Sequence, residues 1–167
     1  MRGLMMDQPL LISGIIDHAA RYHGDTEVVS VENDGSRHRT NYADVRRRAL
    51  KLGSALLKRG MSHSDRIATI AWNNFRHLEL YYGVSGSGLV CHTVNPRLFP
   101  EQLIYIMGHA EDRLVFFDKT FLPLVEGLRE HLPKVEGWIM MDSPDGELSS
   151  EYPWLEFYED FIATGDS

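Results

Sequence analysis

Four short apolar runs alternate with three amphipathic helical patterns between residues 66 and 142, and this alternation constrains the fold more than any other feature. The runs are Arg66–Trp72, Leu89–Val94, Leu114–Asp118 and Trp138–Asp142, and the helical patterns cover Phe75–Ser87, Pro100–Ala110 and Phe121–Leu132. Each run is too short for a helix, and its apolar character is typical of a buried strand. Buried strands separated by helices predict an α/β fold with a parallel sheet of βαβ units.

The N-terminus predicts an arm followed by an amphipathic helix. Residues 1–9 are interpreted as the arm. A helix is expected from Pro9 or Leu10 to Tyr22, with Gly24 just beyond its end. Its apolar residues fall on one stripe, which consists of Leu11, Ile15, Ala19 and Tyr22.

Residues 26–60 predict a hairpin and a second helix. Thr26–Glu32 alternates and is rich in valine, and turn residues connect it to a short strand at Arg37–Thr40. Asn41 is expected to cap the helix that follows, with Asp44 in the reciprocal position, and Gly60 ends that helix. Its apolar face consists of Val45, Ala49, Leu52 and Leu56.

Charge is distributed unevenly along the chain. The net charge is −7, and residues 142–167 hold eight acidic residues and no lysine or arginine, so the remainder is close to neutral. Nucleic-acid-binding proteins present a basic face, and this charge balance argues against that class. Basic residues do cluster on the second helix, where they indicate a solvent-exposed surface. They are Arg46, Arg47, Arg48, Lys51, Lys58 and Arg59.

The C-terminal stretch is predicted to be a loop, Ser143–Pro153, followed by a short helix at Trp154–Ile162. We therefore divide the chain into an arm at 1–9, an α/β portion at 10–142 and an acidic stretch at 143–167. No apolar run has the length of a membrane span, and the N-terminus lacks the pattern of a signal peptide. The single cysteine, Cys91, is expected to be an inert thiol in a buried strand, and the cytoplasm is the default compartment.

Gly83, Gly86 and Gly88 suggest a phosphate-binding loop, but their order in the pattern is wrong for one. Phosphate-binding glycines follow a strand and open a helix, so that the helix N-terminus faces the anion. These glycines end a helix and precede a strand. We therefore interpret them as residues that let the helix pack closely and then terminate.

Three histidines, His77, His92 and His109, come from separate predicted elements. A cluster of His109 with Glu111 and Asp112 is conceivable, but no pair of these residues has a recognised metal-ligand spacing. No G-x-S-x-G nucleophile motif occurs either. The residues themselves therefore assign no catalytic, cofactor-binding or metal-binding side chain.

Several short motifs resemble those of adenylate-forming enzymes. Thr40–Val45 is similar to the first core motif of that superfamily, and Gly83–Pro96 to the second. Three further stretches resemble, more narrowly, medium- and long-chain fatty acyl-CoA synthetases and methylmercaptopropionate-CoA ligases. They are Asn74–Glu79, His92–Leu98 and Tyr105–Asp112. The resemblance runs from about Met5 to Asp142, which is most of the chain.

The resemblance implies the N-terminal part of an ATP-dependent ligase that works in two steps. A carboxylate, such as a fatty acid, attacks the α-phosphate of ATP and releases pyrophosphate; the thiol of CoA then displaces AMP. Mg²⁺ would neutralise phosphate charge in the first step. The family's catalytic motifs, including a loop ending in Pro-Lys-Gly, do not occur in residues 1–167. This chain alone is therefore expected to be inactive and to bind no ATP, CoA or Mg²⁺.

The resemblance also implies a role for the arm. In long-chain members of the family, the N-terminal arm is exchanged between two subunits of a homodimer, and Met5, Met6 and Asp7 match that arm. Asp7 would accept hydrogen bonds from the partner. A frayed terminus is the alternative for these residues.

Two other classes of protein stay open. An intact βαβ core with an acidic tail also suits a non-catalytic α/β interaction or dimerisation module. A small flavodoxin-like nucleotide-binding domain would share the same fold class. The sequence does not specify which acyl chain length a ligase of this kind would take.

Overall fold

A computed structural model describes residues 3–4 and 6–166 of the chain. The strands are β1 (Glu27–Val31), β2 (Arg37–Asn41), β3 (Arg66–Ile70), β4 (Val90–Thr93), β5 (Leu114–Phe117), β6 (Gly137–Met140) and β7 (Leu155–Phe157). The helices are α1 (Ile12–Tyr22), α2 (Tyr42–Lys58), α3 (Phe75–Gly86), α4 (Pro100–Ala110), α5 (Leu122–Arg129), α6 (Gly146–Glu151) and α7 (Tyr158–Ala163). A 3₁₀ turn, Lys119–Phe121, leads into α5.

Five strands form one parallel sheet in the order β4-β3-β5-β6-β7. The two remaining strands, β1 and β2, form a separate antiparallel hairpin. β3, β5 and β6 lie inside the sheet, and almost every residue in them is buried, as the continuous apolar runs predicted. The predicted α/β fold with a parallel sheet of βαβ units is therefore confirmed.

The sheet separates two apolar cores. Alternate strand residues such as Leu114 and Phe116 pack with α2, α3 and α7, whereas Val115 and Phe117 pack on the other face with α4 and α5. This division follows from the two-residue period of a strand, which sends successive side chains to opposite faces.

Strand β7 and helix α6 lie in segments for which the sequence predicts other structures. Residues 154–162 were expected to form one helix, but Leu155–Phe157 pairs with β6 as β7, and the helix begins only at Tyr158. A three-residue strand is too short to show a period of its own, so only its pairing partner reveals it. Within the predicted loop 143–153, α6 forms because the Asp145 carboxylate accepts the backbone N–H groups of Glu147 and Leu148.

Helix α3 does not bury all of its large apolar side chains. Of Leu78, Tyr81, Tyr82 and Val84, only Val84 is buried. The buried residues of α3 are Phe75, Arg76, His77, Glu79, Leu80, Gly83 and Val84. Charged side chains can occupy this face because neighbouring helices supply ionic and hydrogen-bonding partners for them.

Helix α1 also departs from the usual arrangement of an amphipathic helix. Ile16 is its one buried residue, while Leu11, Ile15 and Tyr22 of the apolar stripe are exposed. The helix packs against α2 and α3, outside the sheet layers, and turns its stripe away from them.

The expected position of Cys91 in a buried strand is wrong, because β4 is an edge strand and Cys91 is half-buried. Burial nevertheless raises the pKa of its thiol to about 11, which keeps the thiol protonated and unreactive at neutral pH. Over residues 3–4 and 6–166, the helices are too short or too polar to cross a bilayer.

Candidate functional site

The carboxyl edge of the sheet is where open α/β folds usually bind ligands, and several polar side chains lie there. Asp118 follows β5 directly and is fully buried. Its carboxylate accepts the backbone N–H of Trp72, just beyond β3, at 2.5 Å and the side-chain amide of Asn74 at 3.3 Å. Burial raises the pKa of Asp118, and these hydrogen bonds oppose that effect. Asp118 thus fixes the loop between β3 and α3.

The turn of the hairpin lies over the same edge and borders, with it, a cavity of about 550 Å³ that is open to solvent. Thr120 Oγ1 donates to Asn33 Oδ1 at 3.2 Å, and Arg76 Nη1 donates to Glu32 Oε2 at 3.1 Å. The lining residues are Glu32, Asn33, Asp34, Ser36, His38, Arg76, Lys119 and Asp142. The volume falls within the range of small-molecule sites.

The polar groups of this cavity favour a hydrogen-bond donor over an anion. Three of its lining side chains are acidic, namely Glu32, Asp34 and Asp142, whereas two are basic. Glu32 Oε1 is buried and has no hydrogen-bond partner in the part of the chain that the structure describes. A polyphosphate would meet this acidic majority, so the cavity does not fit the phosphates of a nucleotide.

A network of buried and half-buried charges lies next to the cavity and shares Arg76 with it. We call Arg48, Arg76, Glu79, Tyr158 and Glu159 the ionic cluster. Arg48 donates to Glu79 at 2.7 Å and to both oxygens of Glu159 at 3.0 and 3.1 Å. Arg76 Nε donates to Glu159 at 2.8 Å, and the fully buried Tyr158 hydroxyl donates to Glu79 at 2.7 Å. The cluster joins α2, α3 and α7.

The surroundings set the protonation of the cluster. Burial raises the pKa of Glu79, which is inaccessible to solvent, and the hydrogen bonds from Arg48 and Tyr158 offset this only in part. Burial also acts to raise the pKa of Glu159, but the hydrogen bonds from Arg48 and Arg76 outweigh it, and its pKa is lowered. Burial disfavours the charged form of Arg48, yet Glu79 and Glu159 overcome this and raise its pKa. Because each group is satisfied by another, the cluster fastens three helices together.

The basic surface predicted on α2 is partly wrong for this reason. Arg48 lies in the ionic cluster with a side chain that is 22% exposed, while Arg47 is exposed and pairs with Asp44 of its own helix. The acidic C-terminal stretch supplies partners to several of these residues: Arg59 pairs with Glu156, and Lys58 with Asp166. Part of the basic cluster is therefore neutralised by the acidic stretch of the sequence.

The position of Arg48 in the sequence already indicates that it is not part of the exposed basic surface. Arg48 lies three residues after Val45 and four before Leu52, so it belongs to the apolar face of α2. Arg76 and Glu79 are likewise three apart on α3. A charged side chain inside an apolar face is a reason to search for a buried partner. Tyr158, in the predicted C-terminal helix, carried no such signal.

The three histidines occupy separate positions. His77 is buried against Thr69 Oγ1 at 3.0 Å, and burial lowers its pKa. His92 Nδ1 lies 2.8 Å from the buried Asp112, so the partner of Asp112 is His92. Glu111 instead pairs with Lys134 and Arg66. Within residues 3–4 and 6–166, no three His, Cys, Asp or Glu side chains are grouped so that they could hold a metal ion.

Gly83 serves the packing of α3, as predicted. A Cβ at Gly83 would lie 2.8 Å from the carbonyl oxygen of Ala49 and 2.9 Å from Leu52 Cδ2, so α2 and α3 approach closely only because this residue has no side chain. Gly88, with φ +76°, allows the turn into β4. The predicted arm presents Met6 and Asp7 to solvent, while Met5 lies outside the described residues.

The chain is similar to known enzymes along nearly its whole length. A family model described as AMP-binding enzyme matches residues 16–160. A 3-methylmercaptopropionyl-CoA ligase of Ruegeria lacuscaerulensis is 57% identical over 100% of this chain and 31% of its own length. A medium-chain-fatty-acid–CoA ligase of Ectopseudomonas oleovorans is 52% identical over 99% of this chain and 30% of its own. The chain therefore spans about 30% of the length of these relatives.

A solved structure shares the fold. The anthranilate CoA ligase AuaEII, in complex with anthranoyl-AMP, superposes with a TM-score of 0.79 over 95% of this chain and 29% of its own, at 19% identity. At that identity the likeness shows the architecture, in which the parallel sheet described above is one part of a longer polypeptide.

Proposed function

This chain belongs to the AMP-binding enzyme family, and we propose that it is the N-terminal part of an ATP-dependent acyl-CoA ligase. Such an enzyme activates a carboxylic acid as its adenylate and transfers the acyl group to CoA, with ATP, CoA and Mg²⁺ as its cosubstrates and cofactor. The observation that carries the proposal is the 57% identity to a 3-methylmercaptopropionyl-CoA ligase across all 167 residues. The substrate class we propose is a fatty acid or another small carboxylate.

We propose no site for the nucleotide or its metal ion among residues 3–4 and 6–166. In support of this, Gly83 packs α3 against α2, and the cavity at the carboxyl edge carries more acidic than basic side chains. We therefore assign no catalytic step to these residues. Their proposed contribution is a rigid sheet, held together by the ionic cluster, on which the catalytic part of the ligase is built.

Two further features belong to the proposal. Because the reaction consumes ATP and CoA, we propose the cytoplasm as its compartment. We also propose that residues 1–9 reach a second subunit of a homodimer, in which Asp7 accepts hydrogen bonds. The exposure of Leu4, Met6 and Asp7 supports a segment that is available to a partner. Removing residues 1–9 should convert a dimer to a monomer, as measured by light scattering, and an unchanged mass would contradict the arm.

The ligase proposal is tested with two proteins. The first is the 167-residue chain itself, and the second is the Ruegeria ligase with its matched region replaced by this chain. With ATP, Mg²⁺, CoA and a series of carboxylic acids, the chain alone should release no pyrophosphate above the blank. The chimera should release pyrophosphate in an acid-dependent manner and form the thioester.

The expected result for the chain alone and the expected result for the chimera can be contradicted independently. Turnover by the chain alone would show that these residues contain catalytic groups. A chimera that folds, as judged by circular dichroism, but does not turn over any acid would contradict the ligase and favour the alternative, a non-catalytic α/β interaction or dimerisation module.

A further inference from the structure

The hairpin of β1 and β2 turns a mostly polar face to the body of the protein. Its register pairs Val28 with Thr40 on this face, where both are half-buried. On the same face the buried Ser30 pairs with the half-buried His38. Val29 points the other way and is 47% exposed, since successive side chains of a strand alternate. Separating this face from the body would mainly hydrate polar groups, so the hydrophobic effect opposes the separation only weakly.

Side chains, rather than backbone hydrogen bonds, hold the hairpin near the five-stranded sheet. In the part of the chain that the structure describes, no backbone hydrogen bond connects residues 27–40 to that sheet. The His38 ring stacks on Phe75 of α3 with 3.7 Å between the ring centroids, and Thr120 donates to the turn. The ladder of five residue pairs between β1 and β2 is internal to the hairpin. The hairpin therefore separates from the sheet without breaking the ladder of either.

Closure of the hairpin leaves one polar group without compensation. Glu32 Oε2 accepts from Arg76 Nη1 at 3.1 Å, but Glu32 Oε1 is buried and has no hydrogen-bond partner among the described residues. The cost of desolvating an unpaired carboxylate oxygen is similar in size to the gain from a charge-assisted hydrogen bond, so the two largely cancel. Arg76 keeps its place when the hairpin leaves, because its Nε donates to Glu159 at 2.8 Å. The ion pair therefore holds the hairpin closed only weakly.

We propose that this hairpin is a strap that opens and closes over the carboxyl edge of the sheet. The strap, residues 27–41, borders the cavity of about 550 Å³ when it is closed. Its base stays attached during opening, because the Ala43 N–H donates to the Gly24 carbonyl oxygen at 3.1 Å. Opening lifts the turn away from α3 and α5 and uncovers the edge at which open α/β sheets bind ligands. The strap thereby controls how accessible this edge is.

A thiol at position 30 reports opening, because Ser30 is 8% exposed in the closed strap and cysteine differs from serine only in its sulfur atom. Ser30→Cys is made together with Cys91→Ser, which leaves one thiol in the chain. Its reaction with a chromogenic disulfide reagent is then timed. Two further variants are made in the same Cys91→Ser chain. Val31→Cys, where the native residue is 66% exposed, gives the rate of an uncovered thiol. Ala55→Cys, where the native residue is 1% exposed, gives the rate of a thiol that only global unfolding uncovers.

The reporter should react at a rate between those of the two other thiols. Ser30→Cys should react more slowly than Val31→Cys and at least about 100-fold faster than Ala55→Cys, because local opening costs less free energy than global unfolding. Its rate should be nearly independent of urea at low concentrations, since lifting the strap exposes little surface.

Removal of a contact on the body of the protein should open the strap further. Thr120→Val deletes the hydroxyl that donates to the turn, and it should speed the reaction of Ser30→Cys by about threefold to tenfold without changing that of Ala55→Cys. Arg39→Ala is the matched control, since Arg39 pairs with Glu27 at 2.7 Å inside the hairpin. It should leave the rate of Ser30→Cys unchanged.

Each contrary result would overturn the strap. Equal rates for Ser30→Cys and Ala55→Cys, or a steep rise of the Ser30→Cys rate with urea, would mean that the hairpin leaves the body only when the whole chain unfolds. Equal rates for Ser30→Cys and Val31→Cys would mean that the hairpin does not close. An unchanged rate with Thr120→Val, or equal acceleration by Arg39→Ala, would mean that the hairpin frays instead of lifting. All measurements use the chain alone, so they are independent of the proposed ligase activity.

Discussion

Helices α2 and α1 pack side by side, yet they treat charged and apolar side chains in opposite ways. α2 turns Arg48 into the interior, where it meets Glu79 and Glu159. α1 turns Leu11, Ile15 and Tyr22 out to solvent and buries Ile16 alone. The ionic cluster therefore contains charged side chains that their polarity alone would place at the surface. The stripe contains apolar side chains that their hydrophobicity alone would place in the core.

The difference teaches what a helical period specifies. A period of 3.6 residues identifies which side chains share a face of a helix. Whether that face is buried depends on what stands opposite. Arg48 is half-buried because two carboxylates from distant parts of the chain satisfy it, and the stripe of α1 is exposed because the described residues place nothing against it. The predictions below test this contrast.

Removal of the Arg48 side chain should have the largest effect. Arg48→Ala leaves Glu79 buried without its cation and removes one of two arginines from Glu159, which should lower the free energy of unfolding by about 3–5 kcal/mol. Chemical denaturation measures the change. Arg47→Ala is the control, since Arg47 is exposed and pairs within its own helix, and it should cost no more than about 0.5 kcal/mol. Equal costs would show that the cluster contributes no more than a surface ion pair.

Two glycines provide the second test. Gly83→Ala, at the contact of α3 with α2, inserts a methyl group 2.8 Å from the Ala49 carbonyl oxygen and should destabilise by about 1–3 kcal/mol. Gly14→Ala, in α1, meets no atom within 4 Å and should stabilise by about 0.4–1 kcal/mol, because alanine restricts the unfolded chain. Melting temperatures should shift in opposite directions. A destabilising Gly14→Ala would mean that α1 is packed on both sides.

The pH dependence of stability gives the smallest expected effect. It compares the two carboxylates of the ionic cluster, Glu79 and Glu159. The pKa of Glu159 is lowered from the ordinary value of 4.5, so its contribution to stability is present above that value and is lost as the pH falls. The pKa of Glu79 is raised by burial, so its contribution is present at low pH and is lost as the pH rises through the raised pKa.

The two substitutions should therefore show opposite trends between pH 4 and pH 7. Glu159→Gln should cost more stability at pH 7 than at pH 4, and Glu79→Gln should cost less at pH 7 than at pH 4. Urea denaturation at several pH values measures both. The same trend for both variants would contradict the different environments that the structure gives these carboxylates.

Local sequence was sufficient for most elements of the fold. The four apolar runs gave β3 to β6, and Asn41 caps α2 by accepting the N–H of Asp44, as predicted. The reciprocal part of that capping motif is replaced, since the Asp44 carboxylate pairs with Arg47. These features depend on residues a few positions apart, where the chain itself fixes the geometry.

The candidate site could not be found in this way. The cavity at the carboxyl edge combines the hairpin turn with residues that follow β5 and β6. The ionic cluster joins positions as far apart as Arg48 and Glu159. No local period connects such positions, because their proximity results from strand order and helix packing. β7 was missed for the same reason, since Leu155–Phe157 is a strand only through its pairing with β6.

The sequence by itself determined the fold class, the kinship to acyl-CoA ligases and the packing role of Gly83, since each depends on the order of residues along the chain. Tertiary structure alone decided which charges are buried and which apolar stripe is exposed. The physical reason is that the free energy of burying a side chain depends on its partners as well as on its own polarity. Arg48 is stable inside because Glu79 and Glu159 surround it, and Ile15 lies outside because α1 turns its inner face to α2 and α3.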